Sequence, residues 1–97
     1  MTFLEKLSSK IRSHKERKSD DSYVAFLNKA GLNKIIEKVG EEAIELIIAA
    51  KEGDQPEKKR ELVKETADLW FHCLVLLDQF DLSASDVLDE LEARAGK

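Results

Sequence analysis

The sequence predicts an all-α protein, and three observations carry that expectation. Only four Gly and one Pro punctuate 97 residues, and 37% of the residues are charged, a balance that suits helices better than turn-rich sheets. Apolar residues recur at helical spacing in each long segment. No stretch alternates apolar and polar residues with the period of two that a half-buried strand needs. A chain of this length withdraws only about 60–65% of its surface from water on folding. Residues 1–97 are therefore expected to form one small domain with a thin core.

The elements follow in order. Phe3, Leu4, Leu7 and Ile11 share a face of a first helix running from Phe3 to about Lys18, where charge takes over. The polar run KSDDS (18–22) reads as a connector. A short helix through YVAFLNKA (23–30) ends near Gly31, the residue type best able to adopt the left-handed conformation that closes a helix. Residues 32–52 make a first long helix ended by Gly53. Asp54 and Pro56 open the next, since proline fits a first helical turn, and this second long helix extends from about Glu57 to Phe80. Ser83 followed by Asp86 has the form of a capping box, set before a last amphipathic helix, DVLDELEAR (86–94).

The net charge of −4 argues against a general nucleic-acid binder but leaves small anionic substrates open, because these respond to local fields. The one cysteine, Cys73, lies in an apolar run and reads as a small buried hydrophobe in a reducing compartment. No apolar secretory region follows Met1. The longest apolar stretch, about nine residues interrupted by His72, is too short to span a bilayer. A cytoplasmic protein without membrane partners is expected.

The carboxylates carry the chemistry. On a wheel of about 100° per residue, Leu32, Ile35, Ile36, Val39, Ala43, Leu46, Ile47 and Ala50 form one stripe that is expected to face a core. Glu42 falls at the edge of that stripe, Lys38 and Glu45 come next, and Glu41 lies further round. In the second long helix, apolar residues from Leu69 to Leu77 cover nearly every direction, so the helix is expected to be buried all round. Its polar exceptions, Glu61, Glu65, Asp68 and His72, align on one narrow face. Glu65 and Asp68 are thus expected to look into the bundle. An unpaired buried carboxylate is costly, and a hard cation such as Mg²⁺, which favours oxygen ligands and is typically shared with substrate phosphates, offsets that cost for several at once. Two acidic pairs on facing helices can supply four carboxylates, as in other helix bundles. The bland alternative is a solvated acidic surface paired with Lys34, Lys38, Lys51, Arg60 and Lys64. Histidines of the His72 kind are more often structural than ligating. The basic run KIRSHKERK (10–18) is either a solvated helix end or a phosphate-holding arm.

Three segments resemble a known family. KVGEEAIELIIAAK (38–51), ELVKETADLWFHCLVLL (61–77) and LSASDVLDELEAR (82–94) are similar to the phosphoribosyl-ATP pyrophosphatases of histidine biosynthesis, and DSYVAFLNKAGLNKI (21–35) resembles the family's Ser-Tyr segment. The E-x-x-E…E-x-x-D pattern alone marks the wider MazG-like superfamily of all-α nucleotide pyrophosphohydrolases. The fuller runs narrow the likeness. The resemblance implies an all-α bundle and Mg²⁺ ligation by Glu42, Glu45, Glu65 and Asp68. It also implies hydrolysis of phosphoribosyl-ATP to phosphoribosyl-AMP and pyrophosphate. Val24 stands where the family usually has threonine, and Phe71 where tyrosine is common. Each departure removes a hydroxyl from a candidate phosphate or ribose contact.

In the expected mechanism, Mg²⁺ assists attack of water between the α and β phosphorus atoms. Glu41, Glu42 or Glu45 takes the proton, with Glu41 favoured because it is not needed as a ligand. Lys38, Arg17 and Lys18 are candidates to hold phosphates. A long helix apolar on nearly all faces needs more cover than one small chain supplies, so a homodimer or homotetramer is expected. Two rivals stand beside this reading: a pyrophosphohydrolase of dNTPs, and a non-enzymatic helical dimerisation module.

Overall fold

The computed structural model describes residues 2–16 and 22–96, and these form helices α1 (Phe3–Glu16), α2 (Tyr23–Ala30), α3 (Leu32–Lys51), α4 (Lys59–Asp78) and α5 (Ala84–Ala95). A single 3₁₀ turn at Pro56–Lys58 precedes α4. There is no strand among the described residues, in line with the all-α expectation. No helix among them is long and apolar enough to cross a membrane.

Local chemistry sets the helix ends. The Ser22 hydroxyl accepts from the Ala25 amide and starts α2. Gly31 separates α2 from α3 at φ 100°, ψ 174°, a conformation that essentially only glycine tolerates. The Asp86 carboxylate accepts from the Ser83 amide at 2.9 Å, the reach-back half of the expected capping box. Two boundaries differ from the sequence reading. Gly53 lies in the turn after α3 without a positive φ, and α3 already ends at Lys51. Helix α4 stops at Asp78, two residues before Phe80, in a turn where Asp81 takes φ 60°. Aspartate accepts that conformation more readily than most residues.

Helices α3 and α4 form a long hairpin, and α1, α2 and α5 close one end of it. The core is small: Ile11 from α1, Val24 and Leu27 from α2, Ile35 from α3, Leu74 and Val75 from α4, and Ala84 from α5. Polar bonds lock α1 across the α4–α5 turn. Arg12 donates from Nε to Asp78 and from an Nη to Asp81, both at 2.9 Å, and Lys15 approaches the same Asp78 carboxylate at 3.6 Å. Asp78 is buried, so these cations offset the cost of its charge. Part of the basic run is therefore occupied in holding the fold. Arg17 and Lys18, named from the sequence as phosphate contacts, lie outside the described residues.

The long helices are turned differently from the wheel expectation. The buried residues of α3 are Ile35, Glu42 and Ala49, spaced by seven and forming the seam against α4. Of the expected core stripe, Leu32, Ile36, Ile47 and Ala50 face outward, while Val39, Ala43 and Leu46 are half-buried. Helix α4 is not covered on all sides either, because Val63 and Trp70 are each 55% exposed. The reason is geometric. Among the described residues, α3 packs chiefly on α4 and on the short α2. The seam that meets α4 contains an acid, and most of the isoleucines are left on the far side.

Candidate metal centre

The α3–α4 seam brings carboxylates from both helices together. One carboxylate oxygen from each of Glu42, Glu45 and Glu65 lies within 4.8 Å of the others. Glu42 is central in the seam and only 7% exposed, more deeply placed than its position on the wheel suggested. Glu65 enters from α4 and is half-buried, whereas Glu45 is at the solvent edge. Asp68 shares the α4 face but is exposed and stands outside the group of three, near enough that its charge still acts on Glu65.

The electrostatics of the group are unbalanced. The Oε2 atoms of Glu42 and Glu65 are buried with no hydrogen-bond donor. Partial relief comes from Lys38, whose ammonium lies 3.2 Å from Glu41 and 3.5 Å from Glu42. Burial pushes the Glu65 carboxyl up to about 7, and the neighbouring Glu45, Glu61 and Asp68 add to that effect. Glu41 behaves oppositely. It is exposed, and its bond from Lys38 holds it below the usual carboxylate range. The geometry thus separates one easily ionised acid, Glu41, from Glu65, whose carboxyl resists ionisation among its acidic neighbours.

Such a group fits a hard cation. All its donors are carboxylate oxygens, the ligand class that Mg²⁺ takes, and two of the three residues also bury an oxygen that lacks a hydrogen-bond partner. A proton can also fill the gap, and this gives a prediction for the metal-free chain. Glu65 titrates near 4.5 when unfolded and near 7 when folded, so it contributes stability below about 4.5 that is lost as pH rises through about 7. Carboxylates with lowered values, Glu5, Glu41 and Asp81, act in the opposite sense only at more acid pH. Thermal unfolding in chelator is therefore expected to show a lower midpoint at pH 8 than at pH 5.5. Excess Mg²⁺ should remove that difference, and a midpoint that rises with pH would contradict this reading of the cluster.

A second polar arrangement flanks the site and was not foreseen from the sequence. The Tyr23 hydroxyl lies 2.8 Å from His72 Nε2, and His72 Nδ1 lies 2.7 Å from the Asp68 carbonyl. The Tyr23 ring is aligned with Phe26 and Phe71 and meets His72 edge-on. His72 is buried with both nitrogens engaged, in agreement with a structural histidine. Nothing local signals the pairing, since Tyr23 and His72 are 49 positions apart.

Comparison with known proteins places the chain. A family model described as phosphoribosyl-ATP pyrophosphohydrolase matches residues 4–95. Two proteins named phosphoribosyl-ATP pyrophosphatase, from Burkholderia ambifaria strains MC40-6 and ATCC BAA-244, are each 48% identical over 91 residues. The match covers 94% of this chain and 75% of each relative.

Proposed function

From the premise that the chain belongs to the phosphoribosyl-ATP pyrophosphohydrolase family, we propose that it hydrolyses phosphoribosyl-ATP to phosphoribosyl-AMP and pyrophosphate, with Mg²⁺ held by Glu42, Glu45, Glu65 and Asp68. It is a hydrolase of histidine biosynthesis. The observation that carries the metal assignment is the trio of carboxylate oxygens within 4.8 Å, two of whose residues bury an oxygen without a donor.

Mg²⁺ bound there supplies positive charge to the triphosphate oxygens and favours ionisation of the attacking water. The chain's own residues divide the remaining work. Glu42 and Glu65 reach the centre from opposite helices, so closure of the α3–α4 hairpin fixes their spacing. Glu45 lies at the solvent edge, where a triphosphate arrives. Asp68 completes the set by a side-chain reorientation from its exposed position. Glu41, ionised at neutral pH and outside the trio, accepts a proton from water once its bond from Lys38 gives way to substrate. Lys38, charged and already bridging Glu41 and Glu42, is placed to bind a phosphoryl oxygen when substrate displaces one of those contacts.

The active form is a homodimer, or a homotetramer built from it. Ile36, Ile44, Ile47 and Ile48 project from α3 opposite its buried seam, each at least half exposed. A continuous apolar stripe of that kind marks an interface, and a second copy presenting the same stripe buries it on both sides. The 97 residues work as one domain, in the cytoplasm.

The direct test is pyrophosphate release from phosphoribosyl-ATP with and without Mg²⁺. Turnover that requires Mg²⁺ is expected. Release from dNTPs but not from phosphoribosyl-ATP would overturn the substrate assignment.

A further inference from the structure

Helix α2 contains no acidic residue, yet hydrogen bonds near its two ends tie it to α4 and to Gln79 just past the end of α4. Tyr23, its first residue, meets His72 at 2.8 Å. Near its last turn, the Asn28 side chain accepts from Gln79 and itself donates to the Val24 carbonyl. The His72 contacts fix a direction. A carbonyl can only accept, so the bond to Asp68 puts a proton on Nδ1, and in the neutral ring Nε2 keeps its lone pair. Toward that neutral ring Tyr23 is the donor. Burial, reinforced by the charges of Glu42, Glu41 and Asp68, keeps its phenol protonated against the opposing pull of Lys38. A single chain of bonds thus runs from Tyr23 through the buried ring of His72 to the backbone of Asp68.

The ends of this chain matter for the carboxylates. Asp68 lies one helical turn from Glu65 on α4. Helix α2 passes through Gly31 directly into α3, which carries Lys38, Glu41, Glu42 and Glu45. The bond from Tyr23 to His72 therefore ties the first residue of α2, which lies within the field of Lys38, Glu41 and Glu42 on α3, to the turn of α4 that presents Glu65 and Asp68. We infer that Tyr23 and His72 are positioning residues: together they set the spacing between the α3 and α4 carboxylates and so the affinity for a divalent cation. This inference rests on the metal reading above. Groups that orient ligands in this indirect way are commonly worth about 10–100-fold in metal affinity or activity.

Two variants isolate the contact. Tyr23→Phe keeps the ring beside Phe26 and Phe71 and removes only the donor. His72→Asn keeps a donor for the carbonyl four residues back, as Asn28 does for Val24, but is too short to reach Tyr23. Mg²⁺ binding is measured by calorimetry without substrate, and unfolding in chelator records any general cost to the fold. Each variant is expected to bind Mg²⁺ about 10-fold or more weakly, with no further loss in the double variant. Raising Mg²⁺ should restore most of the lost rate. Native-like Mg²⁺ affinity in the single variants, whatever their stability, would overturn the inference, as would additive losses in the double variant. A native chain that binds no Mg²⁺ would instead overturn the metal reading, and this inference with it.

Discussion

Replacing Glu65 by glutamine is expected to lower Mg²⁺-dependent pyrophosphate release by more than about a hundredfold while raising the unfolding temperature of the metal-free chain. The two effects have one cause. Glu65 places a carboxyl among other acids with Oε2 buried and no donor, so its ionised form is held at a cost the fold does not recover without a cation. Glutamine keeps the size and removes the charge. Its amide can also donate to Glu45 or Glu61, converting a repulsive contact into a hydrogen bond. Activity moves the other way because a lost metal ligand costs more than the roughly 10–100-fold typical of groups that merely orient one. Steady-state rates over a Mg²⁺ series, paired with thermal unfolding in chelator, measure both. A variant that is inactive and less stable would point to a structural role instead.

The second large effect concerns assembly. Ile47→Glu is expected to convert the proposed dimer or tetramer into monomers of 11.0 kDa, the mass of one chain. Ile47 is 62% exposed and lies opposite the buried seam of α3, so a charge there leaves the fold of a single chain nearly untouched. In an interface the same charge must be desolvated without a partner, at roughly 2–7 kcal/mol or more on each side of a two-fold axis. Sedimentation or light scattering reads the outcome. A native chain that already sediments as a monomer would remove the case for the α3 stripe as an interface. So would a variant that stays assembled.

Much of the fold was legible because its boundaries rest on local chemistry. Gly31, Pro56 and the Ser83–Asp86 pair each mark a helix end by conformation or capping, and each does so in the structure. The alignment of Glu61, Glu65, Asp68 and His72 on one face of α4 was also visible, since it depends only on spacing along one helix. The orientation of α3 was not. A wheel ranks faces by hydrophobicity, and the widest apolar face of α3 points to surface that the single chain does not cover. The seam of Ile35, Glu42 and Ala49 that meets α4 is narrower and interrupted by an acid, so it drew less weight. The likeness to a known family, by contrast, singled out Glu42, Glu45, Glu65 and Asp68; the first three converge, whereas Asp68 stands outside their group. Contacts between distant segments left no trace in the sequence. Tyr23 with His72, and Arg12 with Asp78 and Asp81, depend on how whole helices dock, and no neighbouring residue announces them.

The position of the bound ion is the most direct measurement to make. Crystals of the native chain grown with Mn²⁺ in place of Mg²⁺ would reveal it by anomalous scattering. A peak in contact with carboxylate oxygens of Glu42, Glu45 and Glu65, with Asp68 turned toward it, is the expected result. A cluster that stays free of metal at saturating Mn²⁺, or an ion bound elsewhere on the chain, would contradict it.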